Sequence, residues 1–121
     1  MIKEFEKLKE ELKNKEQKDE RFTSMQLRFY EAIKMNLTTF EDDKLGVAAL
    51  RICHLIRDNV VITNFWEKND EQTNLREGIA QICRFSGIPE LKEKNQQIAS
   101  SMMELAKYNY KEIIKNPNEM A

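Results

Sequence analysis

Apolar residues along this chain recur mostly three or four positions apart, the period of one face of an α-helix. Ile2, Phe5, Leu8 and Leu12 mark a first amphipathic helix over residues 2 to about 13. The stripe then dissolves into Lys13-Asn-Lys-Glu-Gln-Lys-Asp-Glu-Arg21, a mixed charge run that reads as a solvated face or linker. Met25, Leu27, Phe29, Tyr30, Ile33 and Met35 form a second stripe, and Thr23 or Ser24 can cap it by accepting from first-turn N–H groups. A third helix starts at Asp42 or Asp43, whose charge suits the positive end of the helix dipole. Leu45, Ala48, Ala49, Ile52, Cys53, Leu55, Ile56 and Val60 cover more than half of its circumference, which makes it central in a bundle. Gly46 and the alanines allow a neighbour to approach closely.

The period breaks in Asp58-Asn-Val-Val-Ile-Thr-Asn-Phe-Trp66. Val60, Val61 and Ile62 in succession, then Phe65 and Trp66, cannot all face water on a small domain. This stretch is expected to be a short extended crossing near Val60–Trp66, a structural hinge in which Val60, Ile62, Phe65 and Trp66 are buried. A polar loop follows, with Asn69 or Asp70 as a cap. Leu75, Ile79, Ile82 and Cys83 then give the core stripe of a fourth helix, flanked by Phe85. Ser86-Gly-Ile-Pro89 stops it, since glycine suits the position just past a helix end and proline suits a first turn. One last helix is predicted from about Pro89 to Lys115, burying Leu91, Ile98, Met102, Leu105, Tyr108, Ile113 and Ile114. The expected fold is all-α: about five helices in an irregular orthogonal or up-down bundle. Residues 1–21 would be an N-terminal helix and charged linker, 22–115 the helical domain and 116–121 a tail.

Composition narrows the chemistry. A chain of 121 residues makes one domain, large enough to bury a core without disulfides or metals. The net charge of -1 argues against a generally nucleic-acid-binding surface, and no apolar run approaches the length of a membrane span. The reading is cytoplasmic. Cys53 and Cys83 sit beside isoleucines as buried free thiols, and His54, the single histidine, falls inside a helical apolar pattern. With no Cys-x-x-Cys or His-x-x-x-His spacing, neither a metal nor a cofactor is expected. Gly46, Gly78 and Gly87 are isolated, so there is no phosphate-cradling loop. Glu90 and Lys92 carry the Glu-x-Lys spacing of metal-dependent nucleases, but they open a helix rather than end a strand. No active site is legible.

Binding is easier to derive. Most of the group Phe29, Tyr30, Phe40, Phe65, Trp66 and Phe85 should be core, and whichever of them stays exposed would anchor a partner. Lys68, Arg76 and Arg84 follow the hinge on the outward side of the fourth helix and are the candidate partner-binding residues. On these grounds alone the chain reads as a helical adaptor or regulator that binds another protein.

Several segments then fall in one order. Phe22-Thr-Ser-Met-Gln-Leu-Arg-Phe-Tyr-Glu-Ala-Ile33 comes first, followed by Asp43-Lys-Leu-Gly-Val-Ala-Ala-Leu50 and Ile56-Arg-Asp-Asn-Val-Val-Ile-Thr-Asn-Phe-Trp66. Leu75-Arg-Glu-Gly-Ile79, Phe85-Ser-Gly-Ile-Pro-Glu90 and Glu104-Leu-Ala-Lys107 complete the set. Together they resemble the C-terminal helical region of the R (restriction and translocation) subunit of type I restriction–modification enzymes, over residues 22 to about 110. Gln26 and Asn64 stand where many of that family carry acids. The resemblance implies a bacterial or archaeal protein whose parent subunit hydrolyses ATP with Mg, translocates DNA and cuts it. Those activities belong to nuclease and motor regions whose motifs this chain lacks. It implies for this chain a non-catalytic assembly role, with the modification (methyltransferase) subunit as partner and DNA contacted only indirectly.

Overall fold

The computed structural model describes residues 22–120, which contain six α-helices, two 3-10 turns and no strand. The helix expected over 2–13 and its charged linker lie outside the described residues. Helix α1 spans Ser24–Lys34 behind a capping box. Thr23 Oγ1 accepts from the Gln26 N–H at 3.1 Å, and Gln26 Oε1 accepts from the Thr23 N–H at 2.9 Å. The same Thr23 hydroxyl donates to the Glu119 carbonyl, which ties the start of α1 to the far end of the chain. Helix α2 spans Asp42–Val60 and buries Leu45, Ala49, Ile52, Cys53, Ile56 and Val60, the wide face its sequence predicts. The Tyr30 hydroxyl donates to the Asp42 carboxylate at its N-terminus, and Phe22 stacks on Tyr30 with ring centroids 4.8 Å apart.

The hinge differs from expectation. No extended crossing exists; the chain turns tightly through residues 61–64 into a 3-10 turn, Phe65–Glu67. Two asparagines explain it. Asn59 Nδ2 donates to the Leu55 carbonyl at 2.7 Å, competing with the backbone ladder as α2 ends. Asn64 adopts the left-handed region at φ 58, a conformation asparagine tolerates better than most residues. The N–H groups of Phe65, Glu67 and Lys68 then donate back three residues, to Ile62, Asn64 and Phe65. Val60 and Phe65 are fully buried, Ile62 and Trp66 partly, and Val61 projects outward.

Helix α3 runs Asn69–Arg84 and stops as the sequence predicts, with Gly87 at φ 80 and the Ser86 hydroxyl donating to the Cys83 carbonyl at 2.8 Å. The single helix expected from Pro89 is three: α4 (Pro89–Glu93), α5 (Asn95–Tyr108) and α6 (Tyr110–Lys115). Side-chain amides again mark the breaks. Asn95 Nδ2 donates to the Lys92 carbonyl at 2.7 Å, and Asn109 Nδ2 to the Leu105 carbonyl at 2.9 Å. The second break turns Tyr108 out into solvent and leaves Ile114 exposed, where burial of both was expected, while Ile113 stays in the core. Residues after Lys115 form a 3-10 turn, Pro117–Met120, that packs against α1 and α2 and buries Met120.

The four longer helices close a ring: α1 packs on α2, α2 on α3, α3 on α5, and α5 back on α1. Phe29, Phe65, Ile52, Leu75, Ile98 and Met102 fill its centre with almost no exposed surface. Each such side chain contributes about 1.5–3 kcal/mol by leaving water. The close approach in this ring is at Gly78 on α3, where a Cβ would meet Leu55 Cδ2 of α2 at 2.7 Å.

Candidate docking surface

The surface on offer to a partner is shaped by where α3 ends. Ile79 and Cys83 hold the core side of the helix, so Phe85 points away from it and is 81% exposed. Across from it Val47, on the outer face of α2, is 52% exposed. Both line a single cleft of about 340 Å³ between α2 and α3, with Ala48 and Ile82 as its floor and Asp43, Lys44, Arg51 and Ser86 around it. Lys44 pairs with Glu41 at 3.4 Å, an exposed i,i+3 ion pair worth little in water. The Arg51 guanidinium makes no hydrogen bond or ion pair among the described residues.

The three cations expected to bind a partner are not gathered into one patch. Lys68 immediately precedes α3 and is exposed, as is Arg76. Arg84 donates to Glu77 Oε1 at 2.7 Å along the same helix. Within α3 the eight-residue interval sets Arg76 and Arg84 about 12 Å apart along the helix and about 80° apart around it. Arg84 alone is next to Phe85. Trp66 is occupied internally: it meets Phe65 edge-on at 4.8 Å and Tyr110 of α6 at 5.8 Å, fastening the hinge to the C-terminal helices. Its indole N–H is buried without a partner among the described residues.

Two other recesses are built differently. Arg28 reaches from α1 to Asn109 Oδ1 at 2.7 Å and Glu112 Oε2 at 3.2 Å, bordering a broad depression of about 790 Å³ beside exposed Tyr108. The other is centred on Glu90. Its Oε1 accepts from the Thr38 N–H at 2.7 Å, the Thr38 hydroxyl at 3.0 Å and the Thr39 N–H at 3.1 Å, while Lys94 Nζ donates to Oε2 at 3.1 Å. The Thr39 and Thr38 N–H groups, aided by Lys94, hold the carboxyl down at about 2. Glu90 therefore fastens the α1–α2 loop onto α4, with Lys94 also donating to the Asn36 carbonyl at 2.7 Å. Of the Glu-x-Lys pair, one member is committed to this clasp and Lys92 is exposed.

Cys53 and Cys83 are both buried free thiols, pushed up to about 12 by burial, with Arg84 opposing that rise at Cys83. His54 lies on the exposed side of α2 rather than partly buried within its apolar face. Among the described residues no group of three or more His, Cys, Asp or Glu could hold a metal ion, and no helix is long and apolar enough to cross a membrane. No family model matches this chain, and no curated protein or solved structure matches it either.

Proposed function

We propose that this chain is a non-catalytic helical assembly domain, of the kind found at the C-terminal end of type I restriction R subunits, which joins its parent subunit to the modification core. The observation that carries the reading is Phe85, a large aromatic side chain standing in solvent at the end of α3. Aromatic residues so placed dominate interface energetics, and Arg84 beside Phe85, with Arg76 further along α3, adds positive charge that speeds association. The ordered resemblance over residues 22 to about 110 supports the modification core as that partner. Nothing in this role calls for a cofactor in the chain itself.

The test is calorimetric titration of the whole chain against a purified modification core, with Arg76→Glu/Arg84→Glu as the probe of α3. Wild type should bind, and the double reversal should weaken binding about tenfold or more, with a shallower salt dependence. Circular dichroism should be unchanged, since Arg76 is exposed and Arg84 engages a surface partner. No binding by wild type refutes the assembly role. Equal binding by both chains moves the contact off these arginines.

A further inference from the structure

Resting on that reading, we infer that the α2–α3 cleft receives an amphipathic helix of the partner protein, which inserts apolar side chains between Val47 and Phe85 and sets carboxylates against Lys44 and Arg51. Six large hydrophobic side chains are strongly exposed among the described residues, and two of them, Val47 and Phe85, share this one cleft. The wall formed by α2 has a definite pattern. Lys44, Val47, Ala48 and Arg51 stand at i, i+3, i+4 and i+7, so they form one stripe two turns long. A cation closes each end, about 10 Å apart, and the middle is apolar. The facing wall repeats the spacing with Ile82, Phe85 and Ser86.

The complement of such a stripe is itself helical. Apolar residues at j+3 and j+4, with acids at j and j+7, would lay two carboxylates on Arg51 and Lys44 while the anchors fill the cleft, the usual mode of a helix in a groove. Charge favours this occupant over a basic one. The cleft is lined by two cations and one carboxylate, Asp43, which sits in the first turn of α2 where the helix dipole already offsets its charge. The guanidinium of Arg51 has no competing partner among the described residues, and the Lys44–Glu41 pair is solvent-exposed and readily exchanged. The stem of Lys44 lies beside Gly87, where a Cβ would stand 3.4 Å from Lys44 Cδ. The walls do not need to move: α2 and α3 are clamped together where Leu55 lies over Gly78.

The experiment uses the whole chain, with Phe85→Ser and Arg51→Glu as variants of exposed residues whose fold is checked by circular dichroism. Each is titrated with the modification core, and also with two synthetic helices of about 15 residues. One helix carries leucines at j+3 and j+4 with glutamates at j and j+7; the other has lysines in place of the glutamates. The acidic helix should bind and the basic one should not. Phe85→Ser should weaken both the acidic helix and the core about tenfold, and Arg51→Glu should transfer preference to the basic helix. If the core binds wild type and both variants equally, the cleft proposal fails; the chain still joins the core, but through a surface other than Phe85. If the core does not bind at all, the assembly reading fails and the peptides decide the cleft. Failure of the acidic helix to bind wild type, or its binding Phe85→Ser as tightly, overturns the proposal.

Discussion

Replacing Thr23 by valine isolates one hydroxyl that joins the two ends of the described fold. Valine keeps the shape and β-branching of threonine, and the extended Thr23 backbone, at φ -72 and ψ 169, suits both. What is lost is an acceptor for the Gln26 N–H and a donor to the Glu119 carbonyl. Removal of a threonine cap costs about 0.5–2 kcal/mol, and loss of the second hydrogen bond adds about 0.5–1.5 kcal/mol. Thr23→Val should therefore destabilise by about 1–3 kcal/mol, lowering Tm by about 4–8 °C for each kcal/mol in a domain near this size. Thr23→Ser retains both bonds and should stay within about 0.5 kcal/mol of wild type. Urea denaturation followed by circular dichroism measures the difference. Superimposed curves for the valine and serine variants would refute the role given to this hydroxyl.

Ile52 and Leu75 lie at the centre of the ring, 0% and 1% exposed, and each truncation to alanine should cost about 2–5 kcal/mol through lost transfer energy and the cavity left behind. Denaturation curves coinciding with wild type would contradict that placement. The Glu90 clasp makes a pH-dependent prediction. Because the folded carboxyl is held down at about 2, below the 4.5 of a free glutamate, its stabilisation is complete above about pH 4.5 and fades as pH falls toward 2. Glu90→Gln should be less stable at neutral pH and should lose less of its stability between pH 4.5 and 2. An acid-denaturation profile parallel to wild type would count against the clasp.

Helical periodicity alone located the main elements. The stripes through Phe29, Ile52 and Leu75, the cap at Thr23, the acidic first turn of α2 at Asp42 and Asp43, and the stop at Gly87 depend on neighbours within one or two turns, so they can be read from the chain. Which aromatic would stay exposed was not legible there: Phe85 flanks the stripe of Leu75, Ile79, Ile82 and Cys83, and only the packing of α3 left it in solvent. The apolar run Val60–Trp66 misled because hydrophobicity reports burial and not backbone shape; Asn59 and Asn64 decided the turn. The same side-chain chemistry at Asn95 and Asn109 divided what periodicity presents as one helix. What the tertiary structure alone decided is which exposed residues meet. Val47 and Phe85 are 38 positions apart in the chain. They share a cleft because α3 packs against α2, with a close approach at Gly78 and Leu55 further along the pair. Conversely, Arg76 and Arg84 look like neighbours in sequence but diverge around their helix, and Glu77 engages one of them. Local rules place a side chain on a helix face, but pairing faces across the bundle depends on how whole helices pack, and no short window of sequence contains that.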